Sequence, residues 1–335
     1  MEIKKITFNF YGIKVCVCGY SAIAEKIAGD FEYFKDLNLS ACDINLNVNL
    51  VNPPYEKIPK ICASMYKNDC ISYDSGFMRY VDYSGKALAI YNTKTNSADF
   101  FSIDEDLLYE IVYLFIHSRT GELLDKKGMH RIHACSFSYN EKICIVMLPQ
   151  GGGKSTLLME LLKNSGIKLI SDDTPFVDAK GQIYPFPIRI GVSGDVDTEY
   201  IPSEYISIFN RRKFGLKKLI GYQFFKNRIE TKKHPVIIIC GMRCFSDYPF
   251  MAKGGIFTGF SYLLKNCVVG YGLPQVLEYF LIGGFKDNFS KIKIIFSRFR
   301  SCINLLMKNR QIYCFHISNK KSENAEYLLR EIAKL

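Results

Sequence analysis

The stretch Gly151-Gly152-Gly153-Lys154-Ser155-Thr156 stands between the apolar run ICIVML (143–148) and the leucine-rich run LLMELL (157–162). Glycines lack Cβ, so a loop of them can turn several backbone N–H groups toward one point, and the positive end of a following helix favours an anion there. Lys154 then supplies a mobile charge for outer phosphates, the Ser155 hydroxyl can ligate Mg²⁺, and the loop reads as a triphosphate cradle. Where the common loop pattern has its first glycine this chain has Leu148, while the Gly-Lys-Ser core is intact. Asp172-Asp173 follows after one short helix and one strand. Neighbours in an extended segment point to opposite sides, so one aspartate can hold a metal while the other faces an acceptor, as phosphoryl transfer to a hydroxyl requires. The bland reading of the pair is a turn cap ahead of Pro175. His133 is a third candidate, able to polarise the acceptor site or tune a carboxylate. Neither the NKxD motif of GTPases nor the LSGGQ motif of ABC-type ATPases occurs.

These residues need elements to bring them together. RIHACSFS (131–138) and ICIVML flank Tyr139-Asn140-Glu141-Lys142, which predicts a hairpin. A register with Ser138 opposite Ile143 would set His133 opposite Leu148, at the mouth of the loop. Leu157, Leu158, Leu161 and Leu162 give 154–164 the apolar face of a helix, with Gly166 as its C-cap. The helical crossover predicts that 167–171 runs parallel to 143–148, which delivers Asp172 and Asp173 to the same sheet edge as the loop. Upstream, 3–18, 43–51, 70–82 and 87–101 alternate like antiparallel strands, interrupted by a helix over about 20–35. Asp104 is a good N-cap for a helix running to about Arg119. Downstream, 236–242 and 311–317 read as buried strands and 261–282 and 322–334 as largely helical. The expected division is an α+β region over 1–104, structural or partner-facing, and an α/β nucleotide-binding domain with a mixed sheet over 105–335.

The 335 residues, 48% hydrophobic and 23% charged, describe a folded globular chain. Twelve scattered cysteines without zinc-ligand spacing read as reduced core thiols. The N-terminus lacks the apolar core of a signal peptide, and the apolar stretch 256–285 carries Lys265 and Glu278, so the expectation is a cytoplasmic protein without a membrane span. Of the net charge of +11, a large part lies in 211–234, with nine Lys/Arg against one Glu. That stripe is either solvated surface or a docking site for an acidic polypeptide, with Arg211, Arg212 and Lys213 as contacts. No nucleic-acid-binding signature accompanies it, so nucleic acid is not expected.

The sequence IHACSF…ICIVMLPQGGGKSTLLMELL…IKLISDDTPFVDAKGQIYPFPIRI resembles the HPr kinase/phosphorylase family, whose nucleotide-binding core is shared with ATP-dependent phosphoenolpyruvate carboxykinases. The likeness covers roughly 105–190, and the N-terminal half is more similar to stand-alone HPr-kinase-like proteins of bacterial peptide-biosynthesis clusters. It implies a P-loop core of that type using ATP and Mg²⁺, with Gly151–Gly153, Lys154, Ser155 and Thr156 on the nucleotide. It further implies Ser155 and one of the two aspartates on the metal, and Asp173, Asp172, His133 and Lys154 as catalytic residues, with one aspartate as base toward a serine of a peptide or small protein; which aspartate does which is left open, with Asp172 taken for the metal and Asp173 for the base. Arg189 is a candidate for the phosphate or the acceptor. The later Glu-Val-Arg-Gly-like segment of the bifunctional enzyme has no clear counterpart, so phosphorylase activity is not expected. Alternatives are a small-metabolite kinase of the same fold and a nucleotide-binding regulatory module without phosphotransfer.

Overall fold

The computed structural model describes residues 2–38, 41–67, 69–211, 215–273 and 285–335. The chain divides into two compact units, Met1–Leu123 and Leu124–Leu335.

In the first unit, β1 (Ile3–Phe10) and β2 (Ile13–Tyr20) form a hairpin across Tyr11-Gly12, both with positive φ as a type I′ turn demands. Helix α1 (Ser21–Asp30) then crosses over, so β3 (Ile44–Asn49) returns parallel to β2 rather than antiparallel as the alternation predicts. Strands β4 (Met65–Tyr66), β5 (Ile71–Ser75), β6 (Met78–Asp82), β7 (Ala87–Asn92) and β8 (Ser97–Ser102) form a meander that closes with β8 parallel to β3. Helix α2 (Glu105–Lys126) starts where Asp104 Oδ1 accepts the Leu107 N–H at 3.0 Å. It runs seven residues past Arg119, ahead of the left-handed Gly128. Its Phe115 packs edge-on against Tyr91 and Phe100, which ties most of α2 to the first sheet and moves the unit boundary from the expected 104/105 to 123/124.

The second unit contains β9 (Met129–Arg131), β10 (Cys135–Tyr139), β11 (Lys142–Met147), α3 (Lys154–Leu162), β12 (Lys168–Ser171), β13 (Phe176–Asp178) and β14 (Ile183–Tyr184). It continues with β15 (Ile190–Ser193), β16 (Ile206–Arg211), β17 (Gly215–Ile220), α4 (Tyr222–Phe225), β18 (Val236–Arg243), β19 (Phe250–Lys253) and α5 (Ile256–Leu263). After a π-helical turn over Leu264–Val268 come α6 (Phe285–Lys308), β20 (Gln311–Ile317) and α7 (Lys321–Lys334). Its main sheet has the order β12-β10-β11-β18-β20-β19, with parallel pairing at β11–β18 and β18–β20 and antiparallel pairing elsewhere. Alternate residues serve two cores. Cys144, Val146, Ile237 and Ile239 pack with leucines of α3 and with Leu328 and Ile332 of α7, while Ile143, Ile145, Ile238 and Cys240 pack with Leu263, Cys302 and Leu305. Two-sided burial explains why β11 and β18 read as continuous apolar runs.

Several expectations change here. Strand β12 lies beside β10, not β11; because β10 is antiparallel to both, β12 still runs in the direction of β11 and ends at the same edge. Gly166 is not a left-handed cap: its N–H donates to Asn164 Oδ1 at 2.8 Å, and the last turn of α3 closes through Lys163. The helix expected over 261–282 ends as α5 and the π turn, followed by left-handed glycines at 270 and 272, and 274–284 lie outside the described residues. None of the twelve cysteines is joined to another in a disulfide. No described helix is long and apolar enough to cross a membrane.

Helix α6 is anchored by a buried charge network. Arg298 donates through Nε and Nη2 to both oxygens of Asp125 (3.1 and 2.5 Å), and His130 Nδ1 lies 2.7 Å from Asp125 Oδ1. Burial pushes the Asp125 carboxyl up, but the Arg298 guanidinium and the His130 contact outweigh it and hold its pKa at about 2.

Candidate functional site

The β10–β11 hairpin turns through Asn140 and Glu141, both with positive φ, and pairs Ser138 with Ile143 as expected. The ladder stops at Cys135↔Val146, so His133 is not fixed by Leu148. It is held from the other side: Ala134 N–H donates to the Asp173 carbonyl at 3.0 Å and Ile132 N–H to the Pro175 carbonyl at 2.9 Å. These two bonds bracket His133 and lay the segment after β12 alongside it. Its Nε2 consequently sits 3.2 Å from Asp173 Oδ1.

The glycine loop leaves β11 and enters α3 through Gly151 and Gly153, both left-handed, with φ of 73° and 93°. A Cβ on Gly152 would come within 2.8 Å of the Pro149 carbonyl oxygen, so the loop is wound too tightly for a side chain there. Gly153 is the N-cap of α3 and has no side chain to cap it, which leaves the first N–H groups of the helix to an anion. Lys154 Nζ donates to the Leu148 carbonyl at 3.1 Å and lies 3.9 Å from Asp173 Oδ1. The residue standing in place of the pattern's first glycine thus still contributes its backbone oxygen.

The two aspartates occupy different environments. Asp172 is buried; its Oδ2 accepts the Ser155 hydroxyl at 3.1 Å, while its Oδ1 is buried without a hydrogen-bond partner. Desolvation, reinforced by the charge of Asp173, raises its pKa to about 7. The side chain of Asp173 is 47% exposed. Partial burial raises its pKa, but the His133 hydrogen bond and the charges of His133 and Lys154 prevail, and the net displacement is downward. One carboxyl is therefore half-protonated near neutrality and the other stays ionised, the separation expected of two acids with different tasks.

An orphaned carboxylate oxygen beside a hydroxyl is a hard-oxygen donor pair suited to Mg²⁺. Among the described residues no group of three His, Cys, Asp or Glu side chains could hold a metal alone. Mg²⁺ commonly completes its shell with water and substrate phosphates, so the pair Ser155 and Asp172 fits such an ion.

A cleft of about 230 Å³ is lined by Gly151–Gly153 and Thr156 together with Arg243, Ser318 and Lys321. The strand ends of β18 and β20 and the start of α7 place these groups, and sequence spacing gave no sign of them. Lys217 was also missed as a site residue. It pairs with Ser193, another residue of the cleft wall, and its charge lowers the pKa of both Asp172 and Asp173.

The remaining candidates are dispersed. Arg189 is buried ahead of β15 with its guanidinium 6.0 Å from the Phe209 ring. Arg211 ends β16, and Arg212 and Lys213 lie outside the described residues. The basic stripe is not one continuous solvated face: Lys217 and Lys218 belong to β17, and Arg228 turns inward to donate to the Ile167, Leu162 and Asn164 carbonyls.

Compared with protein-family models and with curated protein sequences, the chain finds no match in either.

Proposed function

We propose that the protein is a Mg²⁺- and ATP-dependent phosphotransferase of the HPr kinase-like type, moving the γ-phosphoryl group to a hydroxyl, most simply a serine of a peptide or small protein. The observation that carries this reading is the convergence on one point of Lys154, the Ser155–Asp172 pair and the Asp173–His133 pair. Loop amides and Lys154 would cradle the phosphates and offset charge on the transferred group. Ser155 and Asp172 would hold Mg²⁺, which when bound neutralises phosphate charge and orients the γ-phosphate. Asp173, exposed and ionised, would orient the acceptor hydroxyl and take its proton, with His133 fixing the carboxylate. The cleft that Gly151–Gly153 help to line would give the nucleoside a place to extend.

The test is a transfer screen with ATP and Mg²⁺ against peptides and small proteins encoded beside this gene, read by mass spectrometry. The expected result is a phosphoserine in one acceptor, abolished by Lys154→Ala. Transfer that proceeds unchanged in Lys154→Ala would remove the assignment.

A further inference from the structure

Gly272 has φ +90°, and a Cβ built on it would lie 2.2 Å from Cε1 and 2.4 Å from Nδ1 of His133. No side chain fits there while the imidazole keeps its place. The backbone behind that approach is braced: Tyr271 N–H donates to the Lys265 carbonyl at 2.9 Å, and Leu273 N–H to the Gly270 carbonyl at 3.0 Å. The π-helical turn just upstream takes part as well, since the Asn266 carbonyl accepts the His133 N–H at 2.9 Å and Asn266 Nδ2 donates to the Tyr262 carbonyl at 2.8 Å. π turns of this kind occur frequently at functional sites. The ring is thus backed by the Gly270–Leu273 turn, with Nε2 toward Asp173 and Nδ1 buried without a hydrogen-bond partner. On the same turn that braces His133, Tyr271 is 66% exposed and presents an amphipathic ring.

We infer that the Gly270–Leu273 turn is the acceptor-side wall of the site, in which Gly272 is a positioning residue that holds His133 on Asp173 and Tyr271 contacts the incoming acceptor. This rests on the phosphotransfer reading for its functional meaning, although the positioning itself does not. Gly272→Ala should push the ring away from Asp173. Misplacement on the scale of an ångström costs roughly 100-fold in rate, so kcat for transfer should fall by about that factor while Mg²⁺–ATP affinity is retained.

A double-mutant cycle separates positioning from backbone strain. In a His133→Ala background there is no ring to displace, but the left-handed backbone at 272 is unchanged, so adding Gly272→Ala should lower kcat no further. A readout without turnover is the setting of the ring itself: the His133 imidazole NMR shifts, compared at one fixed pH, should move in Gly272→Ala, as they should when the partner is removed in Asp173→Asn. Tyr271→Ala should raise the acceptor KM several-fold. Additive effects of the two substitutions on kcat, or His133 ring shifts indifferent to Gly272→Ala, would overturn the positioning role, and an unmoved acceptor KM would overturn the role of Tyr271. Displaced His133 ring shifts in a Gly272→Ala protein whose parent transfers no phosphate would uphold the positioning geometry and count against the phosphotransfer reading alone.

Discussion

At the residue scale, Asp172 and Asp173 are neighbours in sequence with opposite electrostatic fates, and both consequences are measurable. A buried aspartate with a pKa near 7 is proton-loaded in the folded state relative to the unfolded one, whose aspartates titrate near 4. Its ionisation therefore destabilises the fold above about pH 7, and that penalty fades as pH falls toward about 4. Asp172→Asn should accordingly melt higher than the parent at pH 8, with the difference vanishing by about pH 4.5; each pKa unit corresponds to about 1.4 kcal/mol. An equal melting temperature at pH 8 would show that Asp172 is not strained. Because a cation needs the ionised carboxylate, Mg²⁺–nucleotide binding should release a proton around pH 7 and weaken by up to about tenfold per unit below it. Calorimetry in two buffers of different ionisation enthalpy reads that proton. Lys154, Ser155 and the diacid were legible because strand, loop and helix periods fix their order along one sheet edge; His133 was named from a hairpin register that stops short of it, and bonds from its neighbours to the Asp173 and Pro175 carbonyls place it instead. Lys217 and Gly272 were not, since each reaches the site from a segment distant in sequence and carries no chemical label of its own.

At the scale of elements, the loop depends on backbone conformations that only glycine adopts cheaply. Gly153 at φ 93° caps α3, and a left-handed L-residue costs about 1–2 kcal/mol. Gly153→Ala should therefore lower both stability and nucleotide affinity, with circular-dichroism melts and a binding titration as the checks; a loss of affinity without any loss of stability would point away from strain. The hairpin at 139–142 and the leucine face of α3 were readable from turn chemistry and 3.6-residue periodicity. The position of β12 was not, because a crossover fixes its direction but not which strand it joins. Helix α6 escaped notice for a related reason: its inward positions include Arg298 and Ser301, both buried, and a buried arginine breaks the apolar pattern that reveals a core helix. What compensates is Asp125, far away in sequence. Arg298→Ala leaves that carboxylate buried without its cation, a change that typically costs about 3–5 kcal/mol, measurable by urea denaturation. The depressed Asp125 pKa contributes stability that is present above about pH 4 and lost as pH falls toward 2. Arg298→Ala should abolish this part of the acid sensitivity.

At the scale of the whole molecule, the proposed acceptor would be acidic if the net charge of +11 and the basic stretch 211–234 serve to dock it. Exposed pairs are worth only about 0–1 kcal/mol each, so the fair test reverses Arg211, Arg212 and Lys213 together to Glu. The acceptor KM should rise several-fold in that variant, and in the parent as salt is added; a KM indifferent to both would favour a small metabolite as acceptor. The mixed α/β character of the second unit was visible in the alternation of strands with helices, whereas the parallel strands inside the first sheet were not, because alternation reports a strand's faces and not its direction. The central claim, that the glycine loop, Lys154 and Asp172 form a Mg²⁺–triphosphate site, needs no knowledge of the acceptor. Its most direct test is calorimetric titration of ATP into the protein at pH 8, with Mg²⁺ or with chelator, for the parent, Lys154→Ala and Asp172→Asn. The account predicts saturable binding strengthened by Mg²⁺, weakened at least about tenfold by Lys154→Ala, and stripped of its Mg²⁺ dependence by Asp172→Asn. Binding that is absent in the parent, or indifferent to Mg²⁺ and to both substitutions, would contradict it.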